Sequence, residues 1–456
     1  IVKAINKAEF KVSEVKNGTR KKNSPLPFTT STLQQEASKV LGFSTQKTMR
    51  IAQSLYEGVN IGKNTVGIIT YLRTDSVRVS DEAVKNANDY INKHYGKEYI
   101  NPNEQAQKSG KKIQDAHEAI RPTDLTRTPE MIKDYLQRDE YRLYSLIYKR
   151  FLASRMAPCV FDTVATKINA GEYTFKVSAS KIAFDGYRAV YTSDEDEKDD
   201  KNALVNKLDK KTKLKLNELQ KEQHFTQPPA HFTEAGLVKA MEEQGIGRPS
   251  TYAPTITTIM ARHYVVKENK NLYVSELGEV VNNMMEEAFP TIVDVNFTAN
   301  MEALLDAIEE GNVQWKTVVA NFYPDLDEAV NKATKELEHV KVEDEVSDVT
   351  CDLCGRKMVF KFGPHGKFLA CPGFPECRNT KSYLEKIGVA CPKCGKDIVI
   401  RKTKKGRTYY GCEGGPECDY MSWQRPLKDT CPKCNYPLIK RGNKFACSND
   451  KCDYIK

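Results

Sequence analysis

The 456-residue sequence predicts an α+β multidomain fold, and three observations carry that expectation. Stretches with apolar residues at helical spacing alternate with stretches of strand-like alternation, so neither all-α nor all-β fits. The strand-like stretches fall in two places far apart, residues 1–30 and 158–225, around a mainly helical segment. Twelve of the 13 cysteines lie after residue 350, in three sets that each begin with Cys-x-x-Cys.

In order, "EFKVSEVKNG" reads as a strand and "GTRKKNSPLP" as a basic turn. "FTTSTLQQEASKVLGFS" turns helical, with Thr30 or Ser31 as cap, Leu33, Ala37, Val40 and Leu41 as stripe, and Gly42 as stop. "TVGIITYLRTDS" reads as a short strand in which Ile69, Tyr71, Arg73 and Asp75 share one side. "SDEAVKNANDYINKHYG" is a capped helix, residues 101–114 a polar loop, and "EMIKDYLQRDEYRLYSLIYKRFLASRM" helical again. "VFDTVATKINA", "YTFKVSASKIAF" and "YRAVYTS" are expected strands, interrupted after the last by "DEDEKDDKN". Residues 226–340 read as mostly helical and 341–350 as a charged linker. The cysteine repeats occupy 351–385, 391–425 and 431–456.

Net charge is +9, unevenly placed. From Cys351 onward, 22 Lys and Arg face 10 Asp and Glu, a balance of +12, so the tail attracts an anionic partner. No run of eighteen apolar residues supports a membrane span. The lopsided cysteines argue against a secreted disulfide protein and for a reducing, cytoplasmic compartment. Cys159 stands alone and reads as a buried small hydrophobe. The chain begins at Ile1 with no secretory signal pattern, which is expected of a fragment of a longer protein.

The cysteine sets are Cys351, Cys354, Cys371, Cys377; Cys391, Cys394, Cys412, Cys418; and Cys431, Cys434, Cys447, Cys452. Four thiolates suit tetrahedral Zn²⁺ with no open position, so three structural zinc ribbons are expected, each folded by its metal. The ribbons interleave Lys and Arg with Phe, Tyr and Trp, a composition suited to single-stranded nucleic acid. Upstream, Tyr71 is a weak nucleophile unless a cation such as Arg73 assists it and holds the phosphate under attack. In "DAHEAIRPTD", His117 and Arg121 share a face if the segment is helical. "GIGRPSTYAPTI" places Arg248, Ser250 and Thr251 at a helix start, where amides and hydroxyls can cradle a phosphate. An ordinary surface tyrosine and an ordinary Pro-initiated helix account for these stretches equally well when each is taken alone.

Together they do not stay independent. "PFTTSTLQQEASKVLGFS", "GIITYLRTDSVRVS", "DAHEAIRPTD", "FTEAGLVKAMEEQGIGRPSTYAPTI" and "FTANMEALLDAIEEG", in this order, resemble the bacterial type IA DNA topoisomerase I family over about residues 25–330. The three ribbons resemble the same family's C-terminal part. The resemblance implies a helical catalytic domain at 31–157, a β-rich connecting arch from 1–30 and 158–225, and a helical DNA-binding domain at 226–340. It implies Tyr71 as the nucleophile that becomes linked to a DNA 5′ phosphate, with Arg73 steadying that phosphate and His117 beside it. Asp75, Arg121, Arg248, Ser250 and Thr251 are implied as DNA-binding positions. ATP-independent relaxation of negatively supercoiled DNA by a monomer at the bacterial nucleoid follows from the same resemblance. RNA polymerase is a further partner it admits for the ribbons.

One departure stands out. The family begins with a Toprim domain that holds Mg²⁺, and no such domain is legible here. The acidic run holding Asp194, Glu195 and Asp196 reads as a solvated loop rather than a metal site. "GVNIGKN" is too short between its glycines for a P-loop. The fragment alone is therefore expected to be inactive in relaxation. Rival readings are a tyrosine recombinase or type IB enzyme, a non-catalytic single-strand-binding fragment, and a topoisomerase III-like decatenase.

Overall fold

Residues 1–30 and the segment after 158 meet in one antiparallel sheet. The computed structural model describes all residues except 103–116, 193–207, 210–211, 338–345, 364–365, 385, 404–407, 442–443, 450 and 456. In it, strand Phe10–Lys22 pairs with Cys159–Ala170, from Phe10 opposite Ala170 to Lys22 opposite Cys159. Tyr173–Phe184 flanks the second strand and Lys213–Leu214 the first, completing four strands. Gly171, at φ +62°, takes the left-handed backbone that a tight hairpin needs.

Two expectations fail here. "GTRKK" is not a turn but the second half of the first strand, because Gly18 to Lys22 each find a partner from Thr163 to Cys159. "YRAVY" is not a strand: Gly186, at φ +51°, bends the chain into a short 3₁₀ turn, Gly186–Ala189. That bend drops Tyr187 and Tyr191 into the core.

The main core lies among the helices between these strands. Helix Thr30–Glu36 is capped one residue earlier than expected, by Thr29, whose hydroxyl accepts the Thr32 N–H. A π-helical turn, Ala37–Leu41, extends it, and Gly42 stops it at φ +69°, as predicted. Helix Thr45–Glu57 buries Ile51, Ala52 and Leu55. Helix Asp81–His94 starts at the Ser80 cap with Asp81 and Glu82 in its first turn, which favour the positive end of the helix dipole. Helix Arg138–Arg155 contributes Leu143, Tyr144, Ile147 and Phe151. Cys159 is fully buried in the same core, as a small hydrophobe should be.

Residues 226–336 are mostly helical, with a hairpin of Val265–Glu268 and Asn271–Val274. Their small core centres on Val238, Tyr252 and Ile256. Polar contacts tie them to the first helices. Glu234 accepts from both the backbone N–H and the hydroxyl of Thr45 (2.8 and 3.0 Å) and pairs with the Lys267 ammonium. Burial works against the Glu234 carboxylate, but the Lys267 and Thr45 hydrogen bonds win and hold its pKa low.

The chain divides into two compact units, Ile1–His339 and Val340–Lys456. The second holds small antiparallel sheets, β-ribbons of three or four strands each. Val346–Thr350, read from sequence as linker, is an edge strand of the first sheet and pairs with Lys357–Gly363. The acidic run at 194–196 and most of the polar loop after Asn101 lie outside the described residues. Among those described, no helix is long and apolar enough to cross a membrane.

Candidate active site and zinc centres

The segment that carries Tyr71 is extended, yet it is not a strand of a sheet. A short strand ends at Val66, and beyond it only Ile69 makes an isolated bridge, to Pro122. Side-chain hydroxyls do the work that a neighbouring strand would do. Thr30 N–H donates to the Thr74 carbonyl (2.8 Å), and the Thr74 N–H donates back to the Thr30 hydroxyl (2.8 Å). The same hydroxyl donates to the Leu72 carbonyl at 2.7 Å. On the other flank, Thr70 N–H donates to the Arg121 carbonyl (2.9 Å), and the Arg121 N–H donates to the Thr70 hydroxyl (3.0 Å). Ile68, Ile69 and Leu72 anchor the segment in the core, each 1% exposed or less.

The expected alternation survives from Tyr71 onward. Leu72, Thr74 and Ser76 are buried, while Tyr71 is half-buried and Arg73 and Asp75 are exposed. Ile69 departs from it and faces the core. Thr30→Val should leave the Thr74 N–H without its acceptor and cost about 1–3 kcal/mol. Thr30→Ser, which keeps the hydroxyl, should restore the stability. Thermal melts of the three proteins check this.

His117 comes to Tyr71 without a helix. Residues 117–121 are extended, because Pro122 disfavours helical backbone at Arg121 and Ile120 bridges to Phe28. The His117 and Tyr71 rings lie 4.9 Å apart, tilted by 41°, and Tyr56 stands edge-on to Tyr71 at 5.4 Å. Arg121 turns away: its guanidinium donates to Glu118 (2.7 Å) and the Pro122 carbonyl. It lines a different and larger cleft, of about 920 Å³, with Asp89, Tyr90 and His94.

Tyr71 and Arg73 open on a cleft of about 640 Å³. Its other walls are helix Thr45–Glu57, through Met49 and Arg50, and the start of helix Tyr252–Ala261, through Pro249 and Ser250. Ser250 therefore sits where the sequence placed it. Thr251 is spent on its own turn, accepting the Arg248 N–H at 2.8 Å. Arg248 forks onto Asp306 (2.6 and 3.4 Å) with Glu302 behind it, so a phosphate would have to displace a carboxylate there. Burial works to lower the Arg248 pKa, but this pairing outweighs it and raises it. Asp75 lies within electrostatic reach of Tyr252, which burial and Glu242 first of all push up to about 12. Sequence reasoning missed Arg50 and Thr30. Their only signal is position, one helical turn into a cleft-lining helix and at the start of a core helix.

The tail brings each cysteine set together. In all three, the four sulfurs lie within 4.8 Å of one another, the grouping a tetrahedral ion needs. Asn379 donates to Cys351 Sγ (3.2 Å) and holds that thiol down to about 6. In the second set, the hydrogen bond from Cys412 brings Cys394 down to about 7. Burial and that same contact push Cys412 up to about 12. Thiols this close share protons until a dication displaces them, so loading should release protons. Chelation should unfold the three sheets and leave the helices of residues 30–336 intact. Zinc content, proton release and far-UV circular dichroism measured during titration check both statements.

Residues 1–320 match the family described as DNA topoisomerase, and residues 348–386, 388–426 and 428–456 each match the topoisomerase DNA-binding C4 zinc finger. The fold resembles full-length topoisomerase I from Thermotoga maritima in a monoclinic crystal form, at 36% identity and a TM-score of 0.61. The chain belongs to the bacterial type IA DNA topoisomerase I family. The likeness covers 89% of this chain but 63% of the Thermotoga topoisomerase, so the chain spans less than two thirds of that enzyme's length. The three C4 fingers are zinc sites.

Proposed function

We propose that the chain carries the cleavage and religation chemistry of a type IA topoisomerase, with Tyr71 as nucleophile. The observation that carries this reading is that Tyr71 and Arg73 line one cleft, with the His117 ring against Tyr71, in a chain of that family. The Tyr71 oxygen forms a bond to phosphorus, and the deoxyribose 3′ oxygen leaves with the electron pair of the broken bond and takes up a proton. The phenol loses one proton, so the step is balanced and reverses without an energy carrier. Arg73 and Arg50 line the cleft and have no ion-pair partner among the described residues, leaving them free for a phosphate. His117 stands beside the phenol, and Ser250 closes the far wall.

The family resemblance implies Mg²⁺. Among the described residues, the groups placed to hold a metal are the three cysteine sets. Glu57 lines the Tyr71 cleft and Asp75 lies two residues beyond Arg73, but among the described residues they belong to no group of three potential ligands, and no step is assigned to the ion. Relaxation of negatively supercoiled DNA, a monomeric state, a nucleoid location and contact with RNA polymerase are further parts of this reading. Their support is the family resemblance.

Label transfer tests the reading. With a single-stranded oligonucleotide cleaved by the full-length protein, a label at the DNA 3′ end should stay with the denatured protein. A 5′ label should leave on a fragment ending in a 3′ hydroxyl. Transfer of the 5′ label instead would mean a 3′ phosphotyrosine and a different enzyme class. Binding with no transfer of either label would leave a single-strand-binding protein.

A further inference from the structure

Helix Thr45–Glu57 forms one wall of the Tyr71 cleft, and the face it turns to the cleft carries more than Arg50. Gln46, Arg50, Gln53 and Glu57 all line the cleft, at steps of four, three and four residues that set them along one side of the helix. Gln46, Arg50 and Glu57 are exposed, and Gln53 is half-buried. Among the described residues, Arg50 has neither an ion pair nor a side-chain hydrogen bond. The Gln53 amide nitrogen donates to the Glu57 carboxylate, which commits the donor end of Gln53 and leaves its carbonyl oxygen to accept.

Arg50 is as free for a phosphate as Arg73 is, but its neighbours suit a different partner. The Glu57 carboxylate repels an anion, and an amide oxygen gives it nothing. A guanine matches the same face. Its O6 and N7 accept two hydrogen bonds from one guanidinium, and its amino group donates to a carboxylate or an amide oxygen. Met49 on this wall, and Pro249 and Pro254 on the opposite wall, are apolar surfaces against which the plane of a base can lie. At about 640 Å³ the cleft falls within the range of about 300–1,000 Å³ usual for small-ligand sites, so a nucleotide has room beside Tyr71. Adenine sets an amino donor where guanine has O6, and the pyrimidines have no N7, so each forfeits at least one Arg50 bond.

We propose that helix Thr45–Glu57 makes cleavage sequence-selective. Arg50 reads guanine in a nucleotide that flanks the scissile phosphate, and Gln53 and Glu57 accept from the donor edge of the same base. The proposal rests on the reading of Tyr71 as the nucleophile of a DNA-cleaving chain. It names what sets one cleavage site apart from another.

The test gives the full-length protein a pool of single-stranded oligonucleotides of random sequence and maps each cut by sequencing the released fragments. Guanine should be enriched about tenfold at one position next to the cut. Arg50→Ala should flatten that position, losing about tenfold more cleavage at guanine sites than at the rest. A strand carrying 7-deazaguanine there lacks only the N7 acceptor. It should be cleaved severalfold more slowly than the guanine strand by the parent and at the same rate by Arg50→Ala; the parent's arm depends on no variant being folded. A map without guanine preference would overturn the assignment, as would equal cleavage of the two strands by the parent. A loss in Arg50→Ala that is uniform over all sequences would overturn it as well, being the mark of a phosphate contact. Covalent capture at Tyr71 with a flat map sinks this inference alone, whereas no capture on any strand sinks the proposed function itself.

Discussion

Tyr71→Phe should abolish covalent capture of DNA and leave single-strand affinity unchanged. The substitution removes one oxygen. The ring keeps its packing against Tyr56 and His117, at 5.4 and 4.9 Å, and the hydroxyls of Thr30 and Thr70 hold the backbone whatever the phenol does. Among the described residues, no hydrogen bond of the extended segment depends on the phenol, so melting temperature should stay close to that of the parent. What disappears is the atom proposed to form the bond to phosphorus. The check is a denaturing gel of the full-length protein with labelled DNA: an adduct in the parent and none in the variant, with equal retardation of the strand on a native gel. An adduct that persists in Tyr71→Phe would place the nucleophile elsewhere.

Arg73→Ala should produce the second largest loss. Arg73 is exposed on the wall of the Tyr71 cleft and carries no ion pair among the described residues, so it contributes little to the fold. A preorganised cation at a phosphate that gains charge in the transition state is worth about 3–4 kcal/mol, or two to three orders of magnitude in cleavage rate. Binding of an uncleaved strand, spread over many contacts, should change little. Arg73→Lys should recover part of the rate, because a single ammonium cannot span two phosphate oxygens as a guanidinium does. Single-turnover cleavage measured beside equilibrium binding separates the two effects. Equal losses in both would assign Arg73 to general affinity.

The zinc centres were fully legible in sequence, because a knuckle is local and its ligands announce themselves by spacing. Helix Asp81–His94 was legible for the same reason, its cap and first-turn acids lying within four residues. The Tyr71 segment was legible in character and not in kind. Alternation predicted that Ile69, Tyr71, Arg73 and Asp75 would share one side, which holds for the last three and not for Ile69. It did not predict that the pairing partners would be the Thr30 and Thr70 side chains and the chain around Arg121, tens of residues away. The helical alternative for His117 fails at Pro122, a local signal that outranks the four-residue spacing. Arg248 shows the opposite limit. Its engagement by Glu302 and Asp306 depends on how a helix more than fifty residues later packs, which no local pattern announces. The expected strand from Tyr187 failed over its described residues, up to Thr192, at one glycine, whose left-handed backbone turned two tyrosines inward.

The central claim is that Tyr71, in the cleft shared with Arg73, becomes covalently joined to DNA. Its most direct test is mass spectrometry of the adduct formed by the full-length protein on a single-stranded oligonucleotide, trimmed by nuclease and digested by protease. The peptide containing Tyr71 should carry the phosphorylated nucleotide remnant, with fragment ions that place it on the phenol. A remnant located on any other residue would contradict the account.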